Sequence, residues 1–119
     1  MKREWFEGLM KSGGSRREQM RKPLWQMIQD WDAWQPLHKE VRVVAGKDAF
    51  RQLKTRKPDV PVLIVEGKSP GNKFPEHPEI LDYLPNGRML VLEDCGHMMN
   101  MERPEEFNKA LREFISKVE

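Results

Sequence analysis

The sequence has one cysteine, Cys95, so it can form neither an internal disulfide nor a cysteine-based zinc site, and nothing argues against a reducing compartment. Long apolar runs are also missing: no stretch approaches the roughly 20 residues needed to cross a bilayer. The N-terminus, MKREWFEGLM, has charges where a signal peptide needs uninterrupted apolar residues. A cytoplasmic protein with no membrane partner is expected. Charge of one sign is lacking overall, with 21 Lys and Arg against 19 Asp and Glu. Basic residues dominate the first half and acidic ones the second. The basic residues are interleaved with Glu4, Glu7, Glu18, Asp30, Asp32 and Glu40, and no aromatic platform motif accompanies them, so they read as a solvated surface rather than a nucleic-acid interface. Internal repeats and low-complexity tracts are absent.

At 119 residues, with 38% hydrophobic and 34% charged residues, the chain has the size of one folded domain with thin burial. Its two halves differ in kind. Residues 1–59 read as a helical, Trp-bearing segment. A first short helix ends at SGGS, Ser12 to Ser15, whose glycines make a hinge or turn. A second helical pattern is interrupted at Pro23 and resumes with Leu24, Met27, Ile28, Trp31 and Trp34 on one face, with Trp25 off that stripe. Such a Trp-rich face suits a core, a lid or a contact surface. Beyond Pro36, Val41, Val43 and Val44 suit a short strand and Ala49 to Arg56 a helix.

Residues 60–119 read as a βαβ unit followed by a helix. The run VPVLIVEG, Val60 to Gly67, has no polar alternation and predicts a parallel strand covered on both faces. A loop-rich stretch leads to a short helix at EILDYL, with Pro78 tolerated in its first turn. Met89 to Leu92 form a second strand, and the link is long enough for a right-handed parallel crossover. From Pro104 the apolar residues Phe107, Ala110, Leu111, Phe114, Ile115 and Val118 mark an amphipathic helix that should dock on the sheet, with Glu105 and Glu106 complementing its dipole. The fold class is therefore α/β, with a small parallel sheet.

The order strand, helix, strand, Gly-His, terminal helix, and above all GHMMNMERPEEFNKALREFI, Gly96 to Ile115, resembles the closing segment of the α/β-hydrolase family from about Pro61 onward. The preceding Trp-bearing helices look at most like the lid that many members insert. The resemblance implies a partial α/β-hydrolase-like fold. It makes His97 the general base, which takes a proton from the nucleophile and returns it to the leaving group, a task suited to a side chain that titrates near neutrality.

The other catalytic parts are not legible. A nucleophile elbow needs G-x-S-x-G, and none of Ser12, Ser15, Ser69 or Ser116 has that setting. In the family order the nucleophile would lie upstream of residue 1. The loop where members commonly carry the acid reads Gly67, Lys68, Ser69, Pro70, with proline at the aspartate's place, and neither Asn72 nor Glu66 is assigned its role. Cys95 and His97 are too close in sequence for a ready Cys-His dyad. His38, His77 and His97 share no metal-ligand spacing, so no metal or cofactor is expected. Met98, Met99 and Met101 suit packing or an apolar pocket.

The expectation is the C-terminal portion of an α/β-hydrolase-like protein that contributes His97 to the hydrolysis of an ester, a related acyl bond or a carbon–heteroatom bond in a small apolar substrate. It would be inactive alone and would need a complementary chain carrying the nucleophile. The alternative is a non-catalytic remnant acting as an oligomerising or binding module, a homodimer through its unpaired strand edges.

Overall fold

A computed structural model describes residues 1–32, 49–72 and 78–118. The proposed strand at Val41 to Val44, Trp34, His38 and His77 lie outside the described residues. The N-terminal helices are α1, Lys2–Ser12, and α2, Arg17–Asp30. Helix α3, Ala49–Arg56, precedes strand β1, Val62–Lys68. A 3-10 helix, Pro78–Tyr83, leads to β2, Gly87–Glu93. The short helix α4, Met99–Glu102, and α5, Pro104–Val118, close the chain.

The two strands pair in parallel, from Val62 opposite Gly87 to Lys68 opposite Glu93, and form a two-stranded sheet. Their β-branched and aliphatic side chains favour the pleated backbone. Lys68 and Glu93 join their ends with a 3.1 Å ion pair. The expected burial of β1 on both faces is not met: Val62 to Glu66 are all half-buried. Among the described residues each strand has only one neighbour, and α5 covers the sheet incompletely. No residue of α5 is buried. A cleft of about 170 Å³ separates Ala110 and Phe114 from Leu63, Met89 and Leu90. Leu111, Ile115 and Val118 remain exposed.

The main core lies in the helical pair, where Phe6, Leu9 and Met10 of α1 meet Met20, Leu24 and Ile28 of α2. Each such burial contributes about 1.5–3 kcal/mol relative to exposure. Phe6 and Trp25 stack at 5.1 Å and Trp5 and Trp31 at 5.3 Å, both tilted. The buried stripe of α2 is thus Met20, Leu24, Ile28, with Trp25 beside it, whereas Met27 is 58% exposed. Lys2 closes the hairpin by donating to the carbonyls of Gln29, at 2.9 Å, and Trp31, where α2 leaves its last acceptors open.

The helix also runs through Pro23 without a break. The ring removes the bond to the Gln19 carbonyl. Pro23 is exposed, so water can serve that acceptor while the opposite face stays in the core. No helix among the described residues is long and apolar enough to cross a membrane.

Candidate functional site at the carboxyl ends of the strands

Three loops converge at the carboxyl ends of β1 and β2, the edge of a parallel sheet where ligands ordinarily bind. They are the turn Gly13–Ser15 between α1 and α2, the loop after β1 and the loop after β2. Glycines allow the approach. A side-chain carbon on Gly67 would lie 2.1 Å from the Gly96 carbonyl oxygen, one on Gly96 2.4 Å from that of Ser12, and one on Gly14 2.0 Å from that of Asp94. Backbone therefore packs directly on backbone.

Asp94 swings the chain off β2 with a left-handed φ of 52°, a region aspartate tolerates better than most residues. Its carboxylate accepts from the Ser15 amide at 2.8 Å, from the Ser15 hydroxyl, and from Arg103 at 3.2 Å. Those bonds, the Ser15 hydroxyl foremost, hold its pKa below the usual carboxylate range. Arg103 also reaches Glu106 on α5 at 3.4 Å. The chain then donates from the Cys95 amide to the Lys68 carbonyl at 3.1 Å, which extends the bonding between the strands by one step.

His97 follows Gly96 on this loop and its side chain is exposed. It has no hydrogen-bond or charge partner among the described residues. Met98 and Met101, both shortly after it in sequence, pack against the helical core. The loop is therefore fixed by its neighbours while the imidazole stays accessible.

The loop after β1 passes next to this one through the Gly67–Gly96 contact. Ser69 bridges to Asn72, whose side-chain amide donates to the Gly67 carbonyl at 2.5 Å. The Ser69 hydroxyl donates to the Ser12 carbonyl. Pro70 is exposed. Asn72 thus closes its own loop, and neither it nor Glu66 is hydrogen-bonded to His97.

Cys95 is fully buried, and burial, reinforced by the negative charge of Glu102, pushes its thiol up to about 11. A protonated, enclosed thiol is no nucleophile for a Cys-His dyad. No cluster of metal-binding side chains occurs among the described residues.

One residue that sequence reading passes over stands out. Glu102 has 0% exposure. Its carboxylate accepts from the amide of Gly14 at 2.5 Å and that of Gly96 at 2.8 Å. Gln19 of α2 donates to its main-chain carbonyl at 2.6 Å. The signal in the sequence is weak: an acidic residue between Met101 and the helix-opening Arg103-Pro104.

No protein-family profile matches the sequence. Over 40 residues, 34% of this chain, it is 48% identical to a protein named as a non-heme bromoperoxidase, BpoC, in two strains of Mycobacterium tuberculosis, a match spanning 15% of that protein. Among solved structures it resembles Est816, described as an N-acyl homoserine lactone degrading enzyme, with a TM-score of 0.58 at 21% identity. That match covers 95% of this chain and 47% of the other, so the chain spans about half the length of its structural neighbour. The fold is partial and α/β-hydrolase-like, and the sequence match agrees with an α/β-hydrolase-like relationship.

Proposed function

We propose that His97 is the general base of a hydrolase-like site at the carboxyl ends of β1 and β2, and that the nucleophile comes from a complementary chain. The supporting observation is the presentation of His97: an accessible imidazole on a loop braced by Glu102, by the β1 loop and by two methionines anchored in the helical core. A base must be held still and yet reach the reacting atoms. In the proposed cycle the imidazole accepts the proton of the attacking hydroxyl as the acyl bond forms, then returns it to the leaving group. Ester, related acyl and carbon–heteroatom bonds in small apolar substrates suit this chemistry, and the lactone degradation described for the structural neighbour is of the same kind. Residues 1–59 would act as a lid-like segment and residues 60–119 as the part that carries the base.

The experiment is an assay with activated acyl esters, using the chain alone and the chain mixed with a nucleophile-bearing hydrolase fragment. The expected result is turnover only in the mixture, lost in His97→Ala. Turnover indifferent to His97→Ala would overturn the assignment.

A second reading has its own support. Among the described residues both outer edges of the sheet are unpaired, and α5 leaves Leu111, Ile115 and Val118 exposed, features that favour self-association. In that reading the chain is a non-catalytic, homodimeric binding module. Light scattering that returns a monomer across a wide concentration range would count against it.

A further inference from the structure

A carboxylate with no solvent contact is costly unless its oxygens are satisfied. At Glu102 each oxygen takes a backbone amide from a different segment: Gly14 in the α1–α2 turn, at 2.5 Å, and Gly96, the residue before His97, at 2.8 Å. An ionised carboxylate suits two donors that arrive from separate strands of chain, because it is an acceptor on both oxygens. A glutamine there would turn an NH2 group toward one of those amides. The Gly96 amide belongs to the Cys95–Gly96 peptide, one residue before His97, so fastening it fixes the backbone from which the imidazole departs. Gln19 grips the same residue from α2 through the main-chain carbonyl at 2.6 Å. The carboxylate thus ties Gly14, 88 positions before it in sequence, to Gly96 at the base of the one histidine described here.

We propose that Glu102 is a positioning residue for His97: it fastens the loop that presents the imidazole to the turn between α1 and α2, so that seating the helical pair and aiming the ring are one event. This rests on the reading of His97 as a general base. Its consequence is that a displacement of the helical pair, on substrate entry or partner docking, moves the base.

The test is nuclear magnetic resonance on the full chain, comparing wild type with Glu102→Gln and Glu102→Asp. Amide exchange is followed at Gly14, Gly96, Val65 and Leu90, and the His97 ring proton is titrated from about pH 5 to 8. In Glu102→Gln, exchange at Gly14 and Gly96 is expected to accelerate by about tenfold or more, with Val65 and Leu90 unchanged. The His97 titration should shift or its signal broaden, and Glu102→Asp, which keeps the charge but shortens the reach, should fall between.

Faster Gly96 exchange with a His97 titration superimposable on wild type would reduce Glu102 to a structural strut and overturn the proposal. Unchanged Gly96 exchange in a folded variant would do the same. Gln19→Ala, which loosens residue 102 and leaves its carboxylate in place, decides the matter if Glu102→Gln does not fold: a moved His97 signal supports positioning, and an unmoved one refutes it. None of these signals depends on turnover, so failure of the general-base assignment in the ester assay and failure of positioning are separately visible.

Discussion

Cys95 offers a sharp test of how the site is closed. Its thiol has 0% exposure and is pushed from its ordinary 9.0 to about 11. At pH 7 the thiolate fraction is then about 10⁻⁴, against about 1% for a cysteine titrating at 9.0. Ionisation alone makes alkylation about 100-fold slower, and enclosure adds the cost of opening the loop. Native protein treated with iodoacetamide or a chromogenic disulfide should therefore label by at least that factor more slowly than protein in denaturant.

The same shift has a consequence for stability. The unfolded thiol loses its proton at lower pH than the folded one, so the folded state binds more protons between the two values. The contribution is fully present below about pH 9 and is lost as pH rises through about 11. A rise from 9.0 to about 11 corresponds to about 3 kcal/mol. Denaturant titrations from neutral to alkaline pH should show that loss in wild type and a smaller one in Cys95→Ala. Labelling of native Cys95 at the rate of an unfolded control would refute the reasoning, because it would mean that the junction of the three loops is open in solution.

Replacing Pro23 by alanine restores a donor to the Gln19 carbonyl in the middle of α2, and the exposed site has room for it; a gain of about 1–3 kcal/mol in chemical denaturation is expected. Gly96→Ala places a carbon 2.4 Å from the Ser12 carbonyl oxygen, and overpacking against backbone should lower stability by about 1–3 kcal/mol, read as a reduced Tm. The Asp94 carboxyl is held low, first by the Ser15 hydroxyl and then by the Ser15 amide, so its contribution is present above the unfolded aspartate value near 4 and is lost as pH falls through the lower folded value. Asp94→Asn should remove part of the acid sensitivity seen when unfolding is monitored by circular dichroism.

The elements that sequence reading finds are those whose signal is local. β1 and β2 announce themselves by aliphatic runs between loop formers, and α5 by apolar spacing with acids in its first turn. His97 falls at the carboxyl end of a parallel strand, as the Gly-His step after β2 implies. Pro23 misleads because its penalty is local, whereas the packing of Met20, Leu24 and Ile28 that keeps the helix intact is tertiary. Met27 misleads for the same reason: helical periodicity gives a face but not which edge of that face meets α1. The 3-10 turn at Pro78–Tyr83 stands where a short α-helix is expected, and the shorter i→i+3 bonds suit a piece of this length.

Glu102 and the glycines show why a site can be harder to read than a fold. A strand or helix depends on neighbours along the chain, but the acceptors and donors of this junction are brought together only when β1, β2 and the α1–α2 turn meet. SGGS reads as a hinge or turn, yet Gly14 is there because the Asp94 backbone occupies the place of a side chain, and its amide is there for Glu102. The same contact gives the helical pair a role beyond covering the sheet. Its core receives Met98 and Met101 while its turn takes the carboxylate between them and α5. If α1 and α2 loosen, the His97 loop loses apolar packing and hydrogen bonds together, which couples the helical pair to the proposed base through named contacts rather than through proximity.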